Sequence, residues 1–380
     1  MTQSRSVAIA GAGIAGLTAA LSFARKGFAT DIFERAPALS EVGAGLQLSP
    51  NATRILDRLG LLSQLERAWS EPTSIDLVSG TSLRALASVP SGPFARHRWA
   101  APYGVLHRAD LQRVLLDAVK AEPLCRLHLG APIETSGDLP SADRPRLTIG
   151  ADGVWSAMRN RVQGSGNARF SGNIAWRLTL READAPTIFD VSKVTAYLGP
   201  GCHLVVYPLR KSGRFNLVAI TAGHDTAEPA DTSLADVRAK LLAAFEGWHP
   251  RLLDCLKGAV EPTIWPLNEV SDGAWHQGES IVLIGDAAHA MMPFAAQGAA
   301  MAIEDGFELA AFVADGQPLA AFAAHRKRRI ARVRARGDFN RFAYHARGPI
   351  RLGRDLVLSM RRPESLAADF DWLYGYQPRD

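Results

Sequence analysis

Apolar positions along this chain change period several times, and each change marks an element. Val7 to Ala10 (VAIA) is a short unbroken apolar run, the pattern of a strand buried on both faces. Ile14 to Lys26 reads as a helix, and Thr30 to Phe33 as a second strand ending at Glu34. Residues 43–61 read as a loop followed by a helix opening near Ser49 and Pro50. LHRADLQRVLLDAVK (106–120) is an amphipathic helix with Arg108 at its beginning. RLTIGADGVWSAMRNRV (146–162) reads as a strand, the turn Gly150-Ala-Asp-Gly153, and a helical start. From about 171 to 222 the texture becomes β. NIAWRLTL, KVTAYLG, CHLVVYPL and RFNLVAI are separated by Gly, Pro and Ser turns, a spacing that predicts an antiparallel sheet. Leu234 to Phe245 is helical, ESIVLIG (279–285) returns to a buried strand, and long helices follow to about 345.

This order predicts an α/β protein of two lobes, as 380 residues exceed what one core usually supports. A Rossmann-like nucleotide-binding lobe is expected from three separate pieces, 1–75, 100–170 and 268–345. A β-rich lobe is inserted as 76–99 and 171–267, and a C-terminal helical tail, 346–380, packs on the nucleotide-binding lobe.

The nucleotide assignment comes from Gly11, Gly13 and Gly16 in GxGxxG register between strand and helix. Gly11 permits the tight turn, Gly13 lets backbone approach a pyrophosphate, and Gly16 lets helix and strand pack closely. The helix N-terminus then offers free N–H groups to the phosphates. Glu34 lies 18 residues after Gly16, at the end of the next strand, where an acid accepts hydrogen bonds from a ribose. No second GxGxxG occurs, so a second nucleotide would lack a Rossmann site of its own.

Composition narrows the alternatives. The chain is 47% hydrophobic and 21% charged, with a net charge of +5. Much of that excess lies between Arg326 and Arg362, which reads as a solvated basic helix. A membrane- or nucleic-acid-binding role for 325–354 is the minor alternative, without a recognition motif to support it. Val7 to Ala24 is uncharged between Arg5 and Arg25. Its Gly, Ala, Thr18 and Ser22 are nevertheless too weakly hydrophobic for a membrane span, so no stable membrane insertion is expected. Cys125, Cys202 and Cys255 form no CxxC or zinc spacing, which predicts a cytoplasmic protein without a thiol redox centre. His289 stands alone, with no second His at ligand spacing, and reads as structural rather than metal-binding. No Ser-His-Asp set, GxSxG elbow or Walker A loop offers rival chemistry.

Three motifs together resemble a family. GAGIAG…FER, GADGVWSAMR and GDAAHAMMPFAAQGAAMAIEDG (285–306) are similar to those of class A flavoprotein monooxygenases of the para-hydroxybenzoate hydroxylase fold. With LHRADL and the terminal WLYGYQ, the likeness is greatest to the salicylate-hydroxylase branch. It spans almost the whole chain and is weakest across 165–265. The resemblance implies an FAD-binding domain of the GR2 type, with Gly11, Gly13, Ile14, Ala15, Gly16, Glu34 and Arg35 around the ADP part and Glu34 on the adenosine ribose. It implies Arg108 near the pyrophosphate and ribityl chain, Asp152 and Gly153 in a motif serving FAD and NAD(P)H, and Gly285 and Asp286 at the ribityl chain. Pro293, Gln297, Gly298 and Ala299 would line the isoalloxazine, where a helix starting between Phe294 and Gln297 aims its dipole at the flavin pyrimidine. For Asp152 and Arg159 an alternative is simple capping and flanking of a helix.

The implied activity is hydroxylation of a small phenolic or aromatic carboxylate substrate, using NADH or NADPH and O2 through a C4a-hydroperoxyflavin, by a monomer or homodimer. A flavin dehydrogenase or oxidase of related fold is the alternative. Such chemistry needs a water-excluding pocket, for which Trp176, Arg177, His203, Tyr207 and Pro293 are candidates, Tyr207 foremost. Two departures from the branch stand out: Ala296-Gln297-Gly298 where GQG is usual, and Glu304-Asp305-Gly306 where EDA is usual.

Overall fold

The computed structural model describes residues 5–39, 45–133, 145–225 and 233–380, along which strands are numbered β1 to β15. The first apolar run forms β1 (Ser6–Ala10), whose parallel neighbours are β2 (Ala29–Glu34) and β8 (Leu147–Gly150). With β7 (Cys125–Leu129), β14 (His276–Gln277) and β15 (Ile281–Leu283), the sheet order is β14–β15–β8–β1–β2–β7. Only β14–β15 is antiparallel. Helix Ile14–Arg25 is buried on every side, because helix Gly298–Ala314 packs directly on it. A Cβ at Gly306 would lie 2.7 Å from the Ala19 nitrogen. The glycine of Glu304-Asp305-Gly306 therefore lets the two backbones approach.

The second sheet runs β13–β9–β12–β11–β10–β4–β5. It contains β4 (Ser74–Ser79), β5 (Ala85–Pro90), β9 (Ala168–Arg181), β10 (Lys193–Gly199), β11 (Cys202–Leu209), β12 (Arg214–Ala222) and β13 (Val260–Val270). The expected antiparallel pairing holds except between β4 and β10, which are parallel. Strand alternation assigns its two faces. Trp176, Leu178, Leu204, Val206 and Phe215 pack with Phe245 and Trp248 near helices Leu234–Ala244 and Pro250–Gly258. The opposite face, carrying Val194, Val205, Tyr207 and Leu209, joins the core shared with the first sheet.

Two expectations change. Residues 45–48, read as loop, form β3 (Gly45–Leu48), paired antiparallel with β6 (Gly104–His107); residues 43 and 44 lie outside the described residues. This pairing partner is remote in sequence, so no local pattern announces it. The tail also does not pack on the nucleotide-binding lobe alone. Leu358, on helix Gly348–Met360, packs with Leu86 of β5 and Leu198 of β10, both in the second sheet. Tyr374, by contrast, ends beside helix Pro50–Arg58, whose Arg54 donates to its carbonyl. The tail thus bridges both sheets.

Candidate active site

The turn after β1 is built as its glycines require. Gly11 has φ +102°, and a Cβ there would lie 2.5 Å from the Ala151 carbonyl oxygen. A Cβ at Gly16 would lie 2.0 Å from the Gly11 carbonyl oxygen, whereas one at Gly13 would meet nothing within 4 Å. Gly13 therefore faces open space while its neighbours are packed, as a close-approaching ligand demands. Glu34 receives the Ala12 amide at 2.9 Å and the Ala36 amide at 3.0 Å, which aims its carboxylate along the turn. Gly11, Gly13 and Glu34 line a cavity of about 260 Å³ with Arg35, Asp152 and Gly153. Ile14 and Ala15 bury their side chains in the core, leaving only backbone toward the cradle. Arg108 is half-buried at the first position of helix Arg108–Ala121.

Asp152 is occupied locally. It accepts from the Ser156 hydroxyl at 2.5 Å and the Met158 amide at 3.0 Å, capping the 3-10 turn Met158–Arg161. Arg159 is buried, and its guanidinium donates to the carbonyls of Val154 and Ala287, tying this turn to the segment beginning at Asp286. Burial lowers its pKa, with Asp152 and Asp286 opposing. The capping and flanking alternative describes both side chains.

Gly285 (φ +58°) precedes the short helix Asp286–His289, and the Asp286 side chain is exposed at its first position. Pro293–Ala295 form a 3-10 turn, and helix Gly298–Ala314 starts after Gln297. Its first amides have no intrahelical acceptor and make an anion-receptive end. Gly298 is open, since a Cβ there meets nothing within 4 Å. Gln297 itself does not line this surface with its side chain. It is 2% exposed, donates to the Ser49 hydroxyl at 3.0 Å and accepts from Asn51 at 3.2 Å. Only its backbone faces the helix start.

Ala296 adopts φ +51°, a left-handed conformation. A non-glycine residue pays about 1–2 kcal/mol there, and glycine recovers this less about 0.5–1 kcal/mol of unfolded-chain entropy. Ala296→Gly is expected to raise the thermal midpoint by about 1–2 °C. An unchanged or lower midpoint in calorimetry would show that this turn holds no strain.

Beneath the motif lies an ionic cluster that was not anticipated. Arg326 is fully buried, although its segment reads as a solvated basic helix. Its guanidinium donates to Asp305 (2.7 Å), Glu304 (2.8 Å) and Glu308 (2.9 Å), and Arg329 donates to Glu304 at 2.7 Å. Asp305 also receives the Gly285 amide at 2.8 Å and contacts His289 Nε2 at 2.5 Å. Glu304 accepts from Asn51 at 2.7 Å, which links the cluster to Gln297. Burial opposes ionisation of Asp305, but His289 and Arg326 outweigh it and hold the carboxyl at about 2. Burial likewise opposes ionisation of Glu308, which His325, Arg326 and Tyr376 bring to about 2. Depressed carboxyls contribute stability above their ordinary values, 3.8 and 4.5. That contribution is lost as pH falls through the folded values. Thermal stability should therefore begin to fall below about pH 6.5, where His203 and His345, whose pKa values burial lowers, start to cost stability, and fall further from about pH 4 toward pH 2 as these carboxyls protonate. A midpoint independent of pH across that window would contradict it.

The second cavity, about 220 Å³, lies between the second sheet, the 293–296 turn and the C-terminal helices. Pro293 and His203 line it. His203 Nδ1 lies 2.9 Å from His345 Nε2, and both rings pack on Phe294 at 5.3 Å. Burial, followed by His345, pushes His203 well below its ordinary pKa. Burial, with Arg341 and Arg347, takes His345 down to about 4. Tyr207 lies on the same sheet face but packs against Gly45, whose Cβ would come within 2.6 Å of the ring, and is not part of this lining. Trp176 points to the opposite face and donates to the Thr221 hydroxyl at 3.0 Å, because alternation along β9 turns it away. Arg177 stacks on Trp265 at 4.8 Å. Sequence reading missed the far wall, which includes Arg336, Asn340, Tyr344, Phe370 and Tyr374. The terminal WLYGYQ was its only trace. Among the described residues, no group of three or more His, Cys, Asp or Glu could hold a metal ion, and no helix is long and apolar enough to cross a membrane.

A family model described as an FAD binding domain matches residues 4–317. 3-Hydroxybenzoate 6-hydroxylase 1 of Aquipseudomonas alcaligenes is 33% identical over 97% of both chains. A 3-amino-4-hydroxybenzoate 2-monooxygenase of Streptomyces platensis is 34% identical over 98% of this chain and 96% of its own. Two solved structures share the fold. HpxO of Klebsiella pneumoniae complexed with FAD and uric acid has a TM-score of 0.80 at 22% identity, covering 97% of this chain and 96% of its own. A salicylate hydroxylase substrate complex has a TM-score of 0.77 at 20% identity, covering 98% and 95%.

Proposed function

Because the chain belongs to the class A flavoprotein hydroxylases and is an FAD-dependent aromatic monooxygenase, we propose that it hydroxylates a single-ring phenol or aromatic acid with NAD(P)H and O2. The observation that carries this reading is the 220 Å³ cavity whose wall includes Pro293 to Ala296, immediately before the open helix start at Gly298. An apolar cavity of about 150 Å³ holds benzene, so one substituted ring fits. The cradle fits FAD as well, since open Gly13 and Gly298 leave backbone accessible at both ends of the site.

Gly11 to Gly16 and Glu34 would hold the ADP part, Arg108 and Asp286 the middle, and the backbone of Gln297 to Ala299 the isoalloxazine. Asp152 would act by capping its turn, which sets Gly153 in the cradle wall. When bound, FAD supplies reduction by NAD(P)H and activation of O2. The chain's own groups orient the ring and exclude water. His203 is neutral at physiological pH and can accept a phenol proton, passing a proton through Nδ1 to His345 Nε2, which is half-buried. Tyr207, beside Gly45, would position the edge of the site rather than touch the ring held in the cavity.

The test is a panel of phenols and aromatic acids given to the FAD-loaded protein with labelled O2. Stimulated NAD(P)H oxidation with labelled hydroxylated product supports the reading. Substrate oxidation without oxygen incorporation would favour a dehydrogenase or oxidase instead.

A further inference from the structure

Helix Gly348–Met360 is turned inside out for an element at the surface. Its charged side chains point inward. Arg351 donates to the Thr81 hydroxyl at 3.1 Å, and Arg354 donates to Asp355 at 2.6 Å and to the Ala343 carbonyl at 2.8 Å. Asp355 is buried, 3.7 Å from Arg84. The outer side carries Ile350, Leu352, Leu356, Val357 and Met360, all 54–74% exposed. Helical spacing gathers these five on one face with no charge among them. Gly353 lies at the centre of that face, and a Cβ there would meet nothing within 4 Å. A surface helix ordinarily does the reverse, burying its apolar stripe and exposing its charges. On helix Leu319–Tyr344, Phe339 and Phe342 are likewise 60% exposed. Phe339 and Val357 also line the 220 Å³ cavity, so its mouth opens between the two exposed apolar surfaces.

We propose that a second copy of this chain packs on this face, and that the copy closes the cavity mouth. Calling the cavity the substrate's rests on the proposed function above; the pairing does not. The seven exposed apolar side chains present on the order of 800 Å², one partner's share of a standard interface. Around them stand exposed Arg341, Arg347 and Arg362 together with Asp338 and Glu364. An apolar centre within a polar rim is the anatomy of a protein interface. Across a twofold axis a rim of both signs is self-complementary, because the arginines of one copy can meet the acids of the other. The same rim gains little from an anionic lipid surface, which attracts the arginines but repels the acids. Gly353, lacking a side chain, lets a facing helix approach the backbone closely. Closure also answers a need of the chemistry, since an open mouth admits the water that a reactive oxygen intermediate must be kept from.

Sedimentation equilibrium of the FAD-loaded chain tests the pairing. Wild type should be a dimer at micromolar concentration. The double variant Leu352→Glu/Leu356→Glu should raise the dissociation constant ~100-fold or more, since each carboxylate enters an apolar interface twice. Both side chains are exposed and neither lines the cavity, so the resulting monomer should keep its fold, checked by far-UV circular dichroism. Leu129→Glu, an exposed position on the edge strand β7 of the first sheet, should leave the dimer intact. Closure is read without activity. A Val357→Cys thiol should react with a soluble disulfide reagent ~10-fold or more slowly in the dimer than when the double variant is added to it. A monomeric wild type, or a dimer that survives the double variant, would overturn the pairing. If that monomer pellets with phosphatidylglycerol vesicles, a lipid surface takes the place of the second copy. Equal thiol reactivity in dimer and monomer would overturn the closure. With a substrate from the panel, the double variant should release a larger share of the NAD(P)H it consumes as H2O2. If no aromatic stimulates NAD(P)H oxidation by wild type, the functional reading falls while the sedimentation and thiol results still decide the pairing and the closure.

Discussion

Replacing Arg326 by methionine is expected to cost about 3–5 kcal/mol of folding stability, the loss typical of breaking a buried ion pair from one side. Arg326 is 0% exposed and holds Glu304, Asp305 and Glu308. Without it, three buried carboxylates are left with Arg329, His289 and His325 as the remaining cationic or ionisable partners. The damage would also reach the site. Asp305 receives the Gly285 amide, and Glu304 holds Asn51 beside Gln297, so the turns before and after the Pro293 segment both depend on this cation. Arg328→Met, exposed two residues along the same helix, should stay within about 0.5 kcal/mol of wild type. Urea unfolding of both variants measures the contrast. An Arg326→Met protein within about 1 kcal/mol of wild type would mean that the cluster contributes little.

The second large effect separates two glycines. Gly16→Ala places a methyl 2.0 Å from the Gly11 carbonyl oxygen and 3.3 Å from Ile9 Cγ2. Backbone cannot yield cheaply there, so the apoprotein should lose about 1–3 kcal/mol and fail to retain FAD as the turn shifts. Gly13→Ala meets nothing within 4 Å. Its apoprotein should unfold within about 0.5 kcal/mol of wild type, yet bind FAD more weakly because the methyl enters the space the pyrophosphate needs. Denaturation of the apoproteins and flavin fluorescence titration read the two effects apart. A Gly13→Ala protein with unaltered FAD affinity would sink the assignment of that space to the cofactor.

These predictions differ in how far sequence alone reaches them. The phosphate cradle is a contiguous strand, turn and helix, so the conformations of Gly11, Gly13 and Gly16 follow from their spacing. The β texture of 171–222 was equally legible, because alternation and turn residues are local. Alternation shows that Trp176 and Arg177 face opposite ways. It does not say which face helices Leu234–Ala244 and Pro250–Gly258 cover, and that covering puts Trp176 in the far core. The same limit applies to Tyr207, displaced from the cavity by Gly45, and to Gln297, drawn away by Ser49 and Asn51. Arginines of helix Leu319–Tyr344 look alike in sequence. Packing buries Arg326 among carboxylates, sets Arg336 on Phe370 at the cavity, and leaves Arg328 exposed. Local spacing thus identified the nucleotide turn, while the likeness of three motifs to a known family implied the flavin. Which side chains wall the substrate cavity, and which charges lie inside it, depended on contacts between segments hundreds of residues apart, because burial is a property of the assembled layers and not of any one stretch of chain.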